Sequence, residues 1–183
     1  MRILGVDPGT LVTGYGVIDI QGKNSRLVAC GIIKTGTKMS MPLRLRTIHV
    51  GLMEVIEQTM PDEFAIESAF YSKNVQSTLK LGHARGVSIL AAALREIPTS
   101  EYAPREVKQA VVGNGNASKE QVAYMARALL NLSESEKIPL DATDALAVAL
   151  CHASRLLRPR ARVKNWKQFI EEHPERVGAK TKK

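Results

Sequence analysis

The stretch that most constrains this chain lies near its end. Ala142, Ala145, Leu146, Ala147, Val148, Ala149 and Leu150 make a helix that runs from Pro139 or Leu140 to Leu157 apolar nearly all round, with Pro159 as its stop. A helix that lacks a polar side belongs in the interior. Yet two acids, Asp141 and Asp144, lead it, and at a spacing of three they share one face. An unpaired charge in the interior is expensive, so these carboxylates need compensation.

The frame around that helix follows from periodicity. Arg2–Asp7 is a short apolar run closed by Pro8-Gly9, which reads as a buried strand ending in a turn. Gly14–Ile20 and Arg26–Thr35 read as two more strands, joined at Gln21-Gly22-Lys23-Asn24, so the first 35 residues form a β-meander. Leu45, Ile48, Leu52 and Val55-Ile56 recur at helical spacing from about Met41 to Met60, and Pro61 marks the end. Glu63–Ser68 is a strand with a carboxylate at its end. A long helix follows over roughly Val75–Glu96, with Val75, Leu79, Val87, Leu90 and Leu94 on one side. It contains Gly82 and Gly86, each costing about 1 kcal/mol relative to Ala. They read either as weak spots or as a face that another backbone approaches closely, such as a dimer contact. Thr99–Ala103 is the fifth strand, Pro104 opens a helix to Val112, and Ser118 with Gln121 caps another that ends near Leu132. A meander followed by alternating strands and helices calls for an α/β fold with a mixed sheet flanked by helices.

Four acids occupy special places in that frame. Asp7 ends the first strand, Glu67 ends the fourth, and Asp141 and Asp144 open the buried helix. Taken singly, each has an ordinary reading as a turn residue, a strand-end acid or a helix N-terminal charge. If strands one and four are parallel neighbours, however, Asp7 and Glu67 project from one edge of the sheet, and the last helix has only to cross that edge. Four converging carboxylates repel one another unless cations neutralise them. An oxygen-only ligand set suits Mg²⁺ or Mn²⁺, and a pair of such ions implies phosphodiester hydrolysis.

Composition is compatible with this chemistry without specifying it. The net charge of +8 is concentrated in residues 158–183, where nine Lys or Arg face three Glu, leaving +2 for residues 1–157. The expected organisation is therefore one domain over 1–157 and a flexible basic tail over 158–183, which adds non-specific DNA affinity or only solvates. Apolar stretches are too short to span a bilayer. Cys30 and Cys151 offer no disulfide framework. A cytoplasmic protein is expected.

Six blocks of the chain resemble one family in order and spacing. They are Gly5-Val6-Asp7-Pro8-Gly9-Thr10 with Thr13-Gly14-Tyr15-Gly16, Ala65-Ile66-Glu67, Lys80-Leu81-Gly82-His83-Ala84-Arg85-Gly86, Val107-Lys108-Gln109-Ala110-Val111-Val112-Gly113 and Asp141-Ala142-Thr143-Asp144-Ala145-Leu146-Ala147. Over residues 1 to about 157 the chain resembles the bacterial RuvC Holliday-junction resolvases. The resemblance implies a ribonuclease-H-like fold with a five-stranded mixed sheet and a homodimer that cuts two opposed strands of a four-way DNA junction, in recombination and repair. It implies two Mg²⁺ held by Asp7, Glu67, Asp141 and Asp144, with Mn²⁺ as a substitute, and catalytic support from Lys108 and Lys119. It also implies a stacking role for Phe70 near the crossover and the branch-migration proteins RuvA and RuvB as partners. Lys73, Lys80, Arg85 and Arg105, together with Lys108 and Lys119, are candidates for DNA contacts.

Two other activities share part of this pattern. A nuclease acting on RNA–DNA hybrids would use the same carboxylates; only paired cutting by a symmetric dimer separates the two. A kinase of the actin and sugar-kinase type also starts with an acid and a Gly-rich hairpin, but needs a second lobe for which 183 residues leave no room.

Overall fold

The computed structural model describes residues 1–22, 24–68, 75–133 and 135–157. Phe70, Tyr71, Lys73 and the basic tail lie outside these residues. The elements run β1 (Arg2–Asp7), β2 (Val12–Gln21), β3 (Asn24–Lys34), α1 (Met41–Thr59), β4 (Glu63–Glu67), α2 (Val75–Ala93), β5 (Thr99–Tyr102), α3 (Pro104–Val112), α4 (Lys119–Leu129) and α5 (Leu140–Leu157). They match the expected order, with boundaries moved by a few residues. The strands form one sheet in the order β3-β2-β1-β4-β5. The meander pairs antiparallel, whereas β1–β4 and β4–β5 are parallel, so Asp7 and Glu67 end neighbouring strands at the same lip.

Each face of the sheet carries its own core. On one side Leu4, Val6, Val17, Phe64 and Ile66 pack with Ile48, Leu52 and Ile56 of α1 and the small residues Ala84, Ala91 and Ala92 of α2. On the other side Ile3, Ile18 and Ala65 meet α5, with Val107 and Val111 of α3 and Val122 and Ala126 of α4 beyond. The result is a three-layer α/β/α arrangement of the ribonuclease-H-like kind. Among the described residues no helix is long and apolar enough to cross a membrane.

Helix α5 is buried from Ala142 to Ala153 apart from Asp144. It lies so close to the sheet because β1 and β2 present glycines beneath it. A Cβ on Gly5 would stand 2.2 Å from the carbonyl oxygen of Ala145, and one on Gly14 would stand 1.9 Å from that of Asp141. Helix α2 is seated differently from its hydrophobic pattern. Its buried stripe is Ala84, Ser88, Ala91 and Ala92, while Val75, Leu79, Leu90 and Leu94 are 49–70% exposed. A Cβ added at Gly82 or Gly86 would meet nothing within 4 Å among the described residues, so these glycines lie on an open face of the single chain.

Candidate active site

The lip of the sheet is built by local devices. After Asp7 the chain turns through Pro8-Gly9, and fully buried Thr13 fastens the turn: its hydroxyl donates to the Gly9 carbonyl at 2.7 Å and accepts from the Gly9 N–H at 3.4 Å. After Glu67, Ser68 donates its N–H at 2.8 Å and its hydroxyl at 3.2 Å to the carbonyl oxygen of Tyr102, which ends β5. The Ser68 fastener is not evident in the sequence, because its partner Tyr102 lies 34 residues on, whereas the Thr13 fastener is local, four residues from Gly9. Ser118 caps α4, its side chain accepting from the Gln121 N–H at 3.3 Å while the Gln121 side chain accepts from the Ser118 N–H at 2.9 Å. That cap places Lys119 on the first turn of α4, where its Nζ lies 3.3 Å from Oδ2 of Asp144.

The four acids come within electrostatic reach of one another. Asp7 is pushed up to about 8, first by burial and then by the charges of Glu67 and Asp144, with Asp141 contributing and Lys119 opposing. Glu67 is raised by burial and by Asp144, and it is eased by a hydrogen bond from Asp7. Both members of this pair therefore favour protonation. Asp144 is raised by burial and held back by Lys119 and Lys108. Lys119 is raised by Asp144, and also by Asp7 and Glu67. Asp141 is half-buried, with its backbone resting on Gly14.

A cleft of about 240 Å³ opens beside the acids, lined by Glu67, Asp144, Lys108, Lys119 and the apolar side chains of Pro104, Val107, Val122 and Ala147. Lys108 and Lys119 thus join the carboxylates. Lys80 and Arg105 are exposed. Arg85 is engaged elsewhere: its guanidinium pairs with Glu101 of β5 and its side chain is only 30% exposed. A phosphate contact by Arg85 therefore requires that pair to open.

The donor chemistry fits a hard divalent cation. Only oxygen ligands are gathered, their mutual repulsion raises Asp7, and the compensation is confined to the rim, where the Lys119 side chain is 74% exposed. As they stand, no three His, Cys, Asp or Glu side chains among the described residues are grouped closely enough to hold an ion, so the acids would have to rotate inward around one.

A mixed five-stranded sheet with acids converging on the lip between its two central parallel strands defines a nuclease of the ribonuclease-H-like class. The family model for the crossover junction endodeoxyribonuclease RuvC matches residues 3–152. The chain belongs to the RuvC family, a family of metal-dependent nucleases. It is 47% identical over 181 residues to the RuvC of Porphyromonas gingivalis, a match covering 96% of each chain. It is 46% identical over 153 residues to that of Desulforamulus reducens, covering 84% of this chain and 93% of the relative. Among solved structures it is similar to T. thermophilus RuvC in complex with a Holliday junction substrate, with 35% identity, a TM-score of 0.80, and coverage of 86% of this chain and 95% of the other.

Proposed function

We propose that this chain resolves Holliday junctions by paired, symmetric hydrolysis of phosphodiester bonds in two opposed strands. The convergence of Asp7, Glu67 and Asp144 beside Lys108 and Lys119, in a chain of this family, carries the reading. Asp7, Glu67, Asp141 and Asp144 would hold two Mg²⁺, with Mn²⁺ as a substitute. When bound, such ions activate water and steady the leaving oxygen in phosphodiester cleavage.

The chain's own residues prepare that chemistry. Thr13 and the Ser68–Tyr102 contact fix the strand ends from which Asp7 and Glu67 project. Lys119 holds Asp144 toward the cleft, and both it and Lys108 of α3 present positive charge to a phosphate entering it. Val107, Val122 and Ala147 give the cleft a dry wall.

Paired cutting needs two sites related by a two-fold axis. The exposed side of α2, with Leu79, Leu90, Leu94 and the open Gly82 and Gly86, suits the homodimer contact that supplies it. Lys80 and Arg105 would position DNA through its phosphates, joined by Arg85 once it is released from Glu101. Phe70 and Lys73 take their stacking and phosphate roles from the family resemblance, as do the branch-migration partners RuvA and RuvB and a cytoplasmic location.

The test is cleavage of a mobile four-way junction with Mg²⁺, beside plain duplex, an RNA–DNA hybrid and an Asp7→Asn variant. Paired nicks on the junction alone, absent in the variant, are the expected result. Cutting of the hybrid with the junction left intact would overturn the substrate assignment.

A further inference from the structure

Helix α5 buries a histidine that the acid cleft does not use. His152 is 3% exposed, in a helix whose other buried residues are nearly all apolar. Its two ring nitrogens face polar groups on two different strands. Nδ1 lies 2.7 Å from the hydroxyl of Tyr102, the buried last residue of β5. Nε2 lies 3.5 Å from Oε2 of Glu63, the first residue of β4. Burial pushes the imidazole down from its ordinary value, against the opposing pull of Glu63, so the ring is neutral. A carboxylate only accepts, so Nε2 carries the proton that faces Glu63, and Nδ1 accepts from the Tyr102 hydroxyl.

Tyr102 is also the residue on which the end of β4 rests. It pairs in register with Glu67, and its carbonyl oxygen accepts both the N–H and the hydroxyl of Ser68, the residue after Glu67. The chain of contacts therefore leaves β4 at Glu63, crosses to α5 and returns through β5 to Glu67. Helix α5 also carries Asp144, eight residues before His152 and about 12 Å away along the axis. One buried helix thus sets the position of Asp144 directly and that of Glu67 through Tyr102.

Stability alone does not account for these polar groups. A buried hydroxyl–imidazole pair contributes little net free energy, and apolar groups of the same shape do nearly as well. What it adds is direction, because a hydrogen bond fixes distance and angle together. Ser100 also reaches the Tyr102 hydroxyl, but from β5 itself, so it does not tie the strand to α5. Arg155 of α5 stands 5.4 Å over the same ring and pairs with Glu106 at 2.9 Å, which holds the tyrosine from a second direction.

We propose that His152 and Tyr102 are positioning residues for the metal site: their hydrogen bond ties Glu67 to the helix that carries Asp144, and so sets the separation of these two carboxylates. Both act through Glu67. This role depends on the reading of Asp7, Glu67, Asp141 and Asp144 as metal ligands.

The experiment measures Mn²⁺ binding to the DNA-free protein, by loss of the free-ion electron paramagnetic resonance signal. Beside it is measured the Mg²⁺ concentration that half-saturates junction cleavage. Tyr102→Phe and His152→Leu remove the hydrogen bond and keep most of the buried volume, and Tyr102→Phe, the milder change, carries the test if His152→Leu does not fold. His152→Asn keeps an acceptor near the position of Nδ1. Ile18→Val, fully buried in the same core but outside this chain of contacts, controls for lost packing, and Asp7→Asn controls for the metal site. Tyr102→Phe and His152→Leu should each raise the half-saturating concentration of both ions by about 10-fold. The double variant should be no worse than either single one, and His152→Asn should recover part of the loss. Ile18→Val should lower the melting temperature by a few degrees and move neither concentration. Unchanged binding in Tyr102→Phe and His152→Leu, with binding weakened in Asp7→Asn, would overturn the positioning role and leave the metal site standing. An equal shift in Ile18→Val would also overturn it, since the effect would then be one of general stability. Mn²⁺ binding that is the same in Asp7→Asn as in the wild type would remove the metal reading, and the positioning role with it.

Discussion

Asp7 concentrates the electrostatic cost of the site in one carboxyl. Its pKa of about 8 stands far above the ordinary Asp value of about 3.9, so between these limits the folded, metal-free protein binds a proton that the unfolded chain releases. Folding stability must then fall as pH rises from about 4 to 8. Asp7→Asn removes the Asp7 share of that dependence, while the raised Glu67 and Asp144 keep theirs. Thermal unfolding at pH 8 without divalent ions should show the variant more stable by roughly 1–2 kcal/mol, a shift of a few degrees. Adding Mg²⁺ should raise the melting temperature of the wild type only. Lys119 is the converse case. It is too exposed for its pair with Asp144 to add much stability, so Lys119→Ala should leave the melting temperature within about a degree. Junction cleavage under single-turnover conditions should nevertheless fall by about 10- to 100-fold. The four acids were legible in the sequence because strand ends and an i, i+3 pair on a buried helix are local patterns. Lys108 and Lys119 were not legible that way. As isolated residues they look like solvated surface lysines, and only the resemblance, and then the cleft they share with Glu67 and Asp144, distinguishes them.

At the scale of elements, the site depends on how closely α5 lies on β1 and β2. A methyl group at Gly14 would collide with the Asp141 carbonyl, and one at Gly5 with that of Ala145. Either change must push the helix outward, at a cost of about 1–3 kcal/mol or more. Gly5→Ala and Gly14→Ala should each lower the melting temperature by several degrees. Gly14→Ala should also lose most cleavage activity, because it displaces the backbone of Asp141 itself. A surface control such as Gly22→Asn should change neither. The apolar circumference of α5 announced its burial, and the alternation of strands and helices announced the sheet. What could not be read was the reason for Gly5 and Gly14, since the atoms they make room for are more than 120 residues away. The seating of α2 was equally hidden. Its large apolar residues formed the evident stripe, yet the core takes its small ones, because Ala84, Ala91 and Ala92 allow close packing and leave Leu79, Leu90 and Leu94 facing outward.

For the whole molecule, the homodimer contact proposed for that outward stripe would convert one acid site into a device for cutting two strands. Leu90→Glu places a charge on that proposed contact without touching either core. It should yield a folded monomer by sedimentation, with an unchanged thermal transition for the monomer fold and little junction cleavage. The central claim is that two copies, each with its own Asp7, Glu67, Asp141 and Asp144, cut opposed strands of one bound junction. The most direct measurement uses a supercoiled plasmid carrying a single extruded four-way junction, which one cut relaxes and two opposed cuts linearise. Wild-type dimers with Mg²⁺ should give linear product, and dimers of one wild-type and one Asp7→Asn subunit should give nicked circles only. Linear product from the mixed dimer would contradict the account, because one acid cluster would then be cutting both strands.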